Sequence, residues 1–172
     1  AVVGIGVAGE WEISLVGTIV LVCTEKAETD AASYALDAYK VLIKQAKGKQ
    51  SNFILKQLNV LAAVTYKTKN FYLLSRTVEY LFLLAEQKKQ EQKIIQESLR
   101  GIKLAGLLAI KIDDFAMLQE IGLRIISNKS IYDCCVFQVA EVIISWINMA
   151  AKQENAEAVL AIANWIALLQ ME

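Results

Sequence analysis

The sequence predicts an all-α fold, a stack of about four antiparallel helical hairpins, eight helices in all, forming an α-solenoid. Three observations predict it. The same phrase recurs four times: an apolar run at helical spacing, a polar break ending in Asp or Asn, then a second apolar run. The breaks centre on Asp30, Asn70, Asp114 and Asn155, at intervals of 40, 44 and 41 residues. A period of that size marks stacked helical repeats. Proline is absent and glycine occurs only eight times, which suits nearly continuous helix and opposes a β-rich fold. Finally, 56% of the 172 residues are hydrophobic and the mean hydropathy is +0.40. Hairpins covered on both sides by neighbours account for part of this. The surplus suggests apolar surface at an end cap or an oligomer contact.

The elements follow in order. Residues 1–9 are an apolar lead-in, and Val2 to Gly9 contains GxGxxG. That spacing lets a dinucleotide fold approach a pyrophosphate. Such a fold needs a second strand within about 30 residues, whereas this chain keeps helical periodicity to its end. A glycine-rich lead-in packed on a neighbour is the simpler reading. The first hairpin (10–47) pairs 10–26 with 30–47, and the second (51–87) pairs 51–68 with 70–87. The third (91–128) pairs 91–110 with 114–128, and the fourth (131–170) pairs 131–152 with 155–170.

Within each second helix, the fourth residue beyond the Asp or Asn is Tyr34, Leu74, Leu118 or Val159. The eighth is Ala38, Val78, Gly122 or Ala163, and the eleventh is Val41, Leu81, Ile125 or Ile166. These spacings place one apolar stripe inside the stack. Asp30, Asn70, Asp114 and Asn155 are then N-caps, each satisfying an orphan amide of the first turn. The linkers at 48–51, 87–92 and 127–130 are short and polar, and the whole chain reads as a single domain.

Composition argues against most chemistry. There is no histidine, so the commonest general base and the commonest metal ligand are missing. Cys23, Cys134 and Cys135 are odd in number and form no CxxC, and they read as reduced, buried small side chains of a cytoplasmic protein. The Asp113-Asp114 pair stands at a helix start, where capping explains it. No catalytic residue, metal, cofactor or small-molecule substrate is expected. No uncharged apolar run reaches the ~18 residues of a membrane span, because Glu10 and Glu12 interrupt the N-terminal region. A first residue of Ala rather than Met suggests a processed chain or a fragment. A fragment cut after a membrane segment would be membrane-associated.

Leu61-Ala62-Ala63-Val64-Thr65-Tyr66-Lys67-Thr68-Lys69-Asn70-Phe71 resembles the middle of a tetratricopeptide repeat, Leu-Gly-x-x-Tyr-x-x-x-Gly-Asp-Tyr/Phe. Ala105-Gly106 followed by Asp114-Phe115 is a second match. From about Leu21 onward the chain is similar to the broader tetratricopeptide-like group, and a HEAT-like stack fits the period as well. The resemblance implies a right-handed superhelix whose first helices border a concave peptide-binding groove. By that resemblance Asn59, Tyr66, Lys67, Lys103, Lys111, Asn148 and Lys152 are candidate groove residues. Lysines there would grip acidic side chains or a terminal carboxylate. Lys67, Lys111 and Lys152 stand three residues before their Asp or Asn, where cations also favour the helix dipole.

Charge is the feature that points to a partner. Net charge is zero, yet residues 1–37 carry six acids against Lys26, residues 38–78 carry eight bases and no acid, and residues 130–172 are again acidic. Lys40, Lys44 and Lys47 fall at helical spacing on one stripe, where like charges repel. A solvated outer face, an anionic protein partner, nucleic acid or an acidic membrane surface each accommodate this pattern. The expected function is therefore a non-catalytic interaction or scaffold module for an acidic peptide or protein. A nucleic-acid-binding helical repeat and a soluble domain of a membrane-associated protein are the alternatives. Homo-oligomerisation through apolar end caps stays open.

Overall fold

The computed structural model describes residues 9–88 and 91–169. Among them are ten α-helices and no strand: α1 (Glu10–Glu25), α2 (Thr29–Leu36), α3 (Ala38–Gln45), α4 (Lys49–Lys67), α5 (Phe71–Gln87), α6 (Gln92–Lys111), α7 (Phe115–Ser127), α8 (Lys129–Cys134), α9 (Val136–Lys152) and α10 (Ala156–Leu169). The lead-in with its GxGxxG lies outside the described residues, apart from Gly9.

Four hairpins stack in sequence order. α1 packs on α2, α4 on α5, α6 on α7, and α9 on α10. The first helices form one row (α1, α4, α6, α9) and the second helices another (α2 with α3, α5, α7, α10); row neighbours pack on one another, α5 and α7 meeting through the Arg124 side chain over Phe82. The core is one apolar seam between the rows, running from Ile13 to Trp165. Two predicted helices are each broken in two, which raises the expected eight to ten. Asp37 interrupts the first hairpin, where its amide bonds both Ser33 O and Tyr34 O and its carboxylate is drawn out to Tyr80 on α5. Cys135 interrupts the fourth, with φ −138° and ψ 38°. Among the described residues no helix is long and apolar enough to cross a membrane.

The four hairpin turns share one geometry. Ala27, Lys69, Asp113 and Glu154 all adopt positive φ, between 53° and 59°. In the second turn the Lys69 amide bonds Tyr66 O at 3.3 Å and the Asn70 amide bonds Thr65 O at 2.9 Å. This 5→2 and 6→1 pair is a Schellman turn, which satisfies the orphan carbonyls of the first helix. The other three turns repeat it. The next residue then begins the second helix. Asn70 accepts from the Leu73 amide at 3.1 Å, Asp114 from Met117 at 3.0 Å and Asn155 from Ala158 at 3.0 Å. Asn70 and Asn155 also donate through Nδ2 to the preceding turn, to Thr29 Oγ1 and Asp113 Oδ1.

Asp30 is not the first N-cap. Glu28 holds that position and makes no side-chain cap, and Asp30 lies in the first turn of α2. The expected stripe is accordingly two residues out of register in the first hairpin. Ala32, Leu36 and Tyr39 are fully buried there, while Tyr34 is 83% exposed, Val41 is exposed and Ala38 only half-buried. The stripe is buried as expected at Leu74, Val78, Leu81, Leu118, Gly122 and Ile125. In α10 it turns by one residue. Ala158, Ile162 and Trp165 are buried, Val159 and Ile166 are half-buried, and Ala163 is exposed.

Candidate partner-binding face

α4 is flanked by α1 and α6 and backed by α5; α6 is flanked by α4 and α9 and backed by α5 and α7. Each therefore has one open side, and its exposed residues lie there. On α4 these include Lys49, Lys56, Val60 and Lys67, with Ala63 half-buried between them. On α6 they include Lys93, Arg100 and Lys111, with Lys103, Leu104 and Leu107 half-buried.

The two caps, Asn70 and Asp114, fix the register between these helices at 44 residues. In that register the cations coincide. Lys49 matches Lys93, Lys56 matches Arg100, and Lys67 matches Lys111, while Val60 matches Leu104 and Ala63 matches Leu107. The face is thus a ladder of three cationic rungs, with two apolar rungs between the second and third. A rise of 1.5 Å per residue sets the cationic rungs roughly 10 and 16 Å apart, and neighbouring helices lie about 8–10 Å apart. α4 carries no acid, and the one acid of α6, Glu97, is bonded to Arg100 at 2.8 Å.

Charge is therefore segregated by row as well as along the chain. On α5 and α7, Arg76 and Arg124 face Glu79, Glu86 and Glu120. Their cations are spent on joining hairpins. Arg76 bonds Asp37, and Arg124 bonds Glu79 at 2.9 Å and Glu86 at 3.3 Å while lying 4.3 Å above the Phe82 ring. The Tyr80 hydroxyl, donating at 2.7 Å, and the Arg76 charge hold the Asp37 carboxyl below its ordinary range. Burial, with the Asp37 carboxylate beside it, pushes the Tyr80 hydroxyl up to about 12. Burial likewise raises the Cys135 thiol to about 12, Cys134 adding to the effect. Among the described residues no group of His, Cys, Asp or Glu is placed to hold a metal ion.

Each sequence candidate has a definite place. Lys67, Lys111 and Lys152 are exposed at the same turn position of successive hairpins. Lys111 reaches back to the second hairpin, where its ammonium bonds the Tyr66 hydroxyl and sits 4.5 Å from the ring centre. Asn148 is exposed on α9, in register with Ala63 and Leu107. Asn59 is a joint between hairpins, donating from Nδ2 to Glu97 O at 3.0 Å. Lys103 bonds Glu141 at 3.3 Å, and its carbonyl accepts the Trp146 indole N–H at 2.9 Å. Lys103 and Glu141 line a cleft of about 440 Å³ between α6 and α9, shared by Gln96, Arg100, Leu104 and Gln138.

Lys40 and Lys44 are exposed on α3, in the second row, away from the ladder. Lys47 is not on their stripe, because α3 ends at Gln45 and Ala46 is extended. Sequence reasoning missed Lys49, Lys56, Lys93 and Arg100. Their signal was present as the repetition of basic residues at a 44-residue offset.

No family model matches the sequence, and no curated protein matches it. The chain is similar to a solved structure, the DHF46 filament, at a TM-score of 0.67 and 17% identity, covering 94% of this chain and 96% of that one. At that identity the likeness concerns the fold.

Proposed function

We propose that this protein is a non-catalytic, tetratricopeptide-like interaction module whose first-helix face holds an acidic segment of a protein partner. The ladder of paired cations on α4 and α6 carries this reading. An acidic amphipathic helix laid along it has the same 1.5 Å rise. Carboxylates at i, i+7 and i+18 would meet the three cationic rungs, and apolar residues at i+11 and i+14 would meet Val60–Leu104 and Ala63–Leu107. All five positions fall on one face of such a helix. Exposed single ion pairs are each worth roughly 0–1 kcal/mol, so the apolar rungs supply much of the affinity and the cations supply orientation. The groups with shifted proton affinity outside the face (Asp37, Tyr39, Tyr80, Arg76, Arg124, Cys135) are engaged in packing or in joining hairpins.

Fluorescence anisotropy of a labelled peptide with that acid and apolar spacing tests the reading. Binding is expected to weaken as salt rises, since exposed charges are screened beyond ~8–10 Å. The Lys67→Glu, Lys111→Glu double variant is expected to abolish it, while Lys40→Glu with Lys44→Glu leaves it unchanged. Equal binding of a scrambled peptide, or a preference for a single-stranded oligonucleotide that only the α3 reversal removes, overturns the proposal.

A further inference from the structure

The two ends of the stack are the two halves of its internal interface. In α1, α4 and α6 the positions fifteen, eleven, eight and four residues before the second-helix cap turn toward the next hairpin. In α1 these are Ile13, Gly17, Val20 and Thr24, all buried. In α9 they are Ala140, Ile144, Ile147 and Ala151, uniformly apolar, with all but Ile147 exposed. The second row continues the face with Val159, Ala163 and Ile166 of α10, whose counterparts in α5 and α7 are covered. Phe137, 86% exposed, and Leu160, 64% exposed, border it.

The opposite end is complementary. Positions seventeen, thirteen, nine and six before the cap turn toward the preceding hairpin. In α9 they are Gln138, Val142, Trp146 and Met149, buried or half-buried. In α1 they are Trp11, Leu15, Ile19 and Val22, all exposed, Trp11 at 72%. A solenoid that ends in solution normally carries a polar outer face on its terminal repeats. Both ends here carry the apolar residues that bury against another hairpin.

We propose that the occupant of each end is a second copy of this chain, stacked head to tail, α1 of one copy against α9 of the next. The contact continues the hairpin-to-hairpin interface already present inside the chain. It joins two different patches, so it is heterologous and propagates into open-ended oligomers. Charge modulates it. At the turns, exposed Glu28 of one end would approach exposed Glu154 of the other, in the positions held within the chain by Asn155 and Asp113. Self-association therefore strengthens as salt screens this repulsion, opposite to the dependence expected of an acidic ligand on the ladder.

Sedimentation velocity tests the proposal. The wild-type mass should rise with protein concentration, and further between ~0.05 and ~0.5 M salt. Leu15→Glu with Ile19→Glu blocks one end, and Ile144→Glu with Ala163→Glu blocks the other. All four residues are exposed, so the circular dichroism of each variant should match the wild type. Each variant alone should be monomeric, and an equimolar mixture should give a dimer and nothing larger, because one free end of each kind remains. A wild type monomeric at every concentration and salt overturns the proposal. So does a single variant that still dimerises, which would mean pairing of like ends.

Discussion

Gly106→Ala should destabilise the protein, although an interior helical Gly→Ala change normally stabilises by about 1 kcal/mol. Gly106 lies in α6 beneath the indole of Trp146. A Cβ built there would stand 2.2 Å from Trp146 Cε2 and 2.4 Å from Cζ2 and Nε1. Ordinary carbon contacts are about 3.5–4.0 Å, so the ring would have to retreat by more than ~1 Å. It is held in place on two sides. Nε1 donates to Lys103 O at 2.9 Å, and the ring meets Trp165 edge-on with centroids 6.2 Å apart. Overpacking costs about 1–3 kcal/mol, and losing the buried hydrogen bond about 1 kcal/mol. Set against the gain in helix propensity, the net loss is about 1–3 kcal/mol. Urea unfolding followed by circular dichroism measures it, with an unchanged m-value showing that the denatured state is unaltered. Repeating the change in a Trp146→Phe background should reduce the penalty, since the smaller ring lacks the atoms that clash and the two sites are coupled. A gain of about 1 kcal/mol from Gly106→Ala, the value for an open helical site, would refute the seating of Trp146 on Gly106 and with it the interface between the third and fourth hairpins.

Removing a true cap should be distinguishable from removing a residue in a first turn. Asn70→Ala is expected to cost about 1 kcal/mol or more, since it deletes both the bond from Leu73 and the tether to Thr29, whereas Asp30→Ala should stay within ~0.5 kcal/mol in the same urea assay. The alkaline limb of stability is set in part by Tyr80. Its hydroxyl is raised to about 12 in the fold against roughly 10 in the unfolded chain, so above pH ~10 the unfolded chain binds fewer protons than the native one. Its contribution is fully present below pH ~10 and is lost as pH rises through the folded value, because a phenolate would face the Asp37 carboxylate. Tyr80→Phe should flatten the fall in melting temperature between pH ~10 and ~12.

The architecture was legible because three of the four turns announce themselves. Asn70, Asp114 and Asn155 each follow a residue in the left-handed region and cap the helix they begin. The first turn was misread because its cap position holds Glu28, which makes no side-chain cap, while Asp30 nearby looks like one. That two-residue shift placed exposed Tyr34 on the buried stripe. The helix breaks at Asp37 and Cys135 had no proline or glycine to mark them. The candidate face was half legible. Lys67 and Lys111 stood out by their distance from the cap, but Lys49, Lys56, Lys93 and Arg100 become a pattern only once the hairpins are in register. Asn59 and Lys103 illustrate the opposite error. Both lie near the groove, yet their polar groups are engaged in joining hairpins.

The arrangement of charge separates the two modes of association physically. Within a row, each hairpin buries apolar side chains against the next, and this interface needs no charge to be stable. On α5 and α7 the cations are consumed at hairpin boundaries, Arg76 by Asp37 and Arg124 by Glu79 and Glu86, while Lys40 and Lys44 stay exposed on α3. Those of the α4–α6 face have few such partners and cluster where like charges repel, which costs stability unless something anionic lies on them. The ends carry the reverse combination, apolar stripes edged by carboxylates. Raising salt therefore weakens attraction at the face and relieves repulsion at the ends. A protein that assembled and bound its ligand through one surface would show a single salt dependence. Two surfaces of this composition require dependences of opposite sign, and reversing Lys67 and Lys111 should alter only the first.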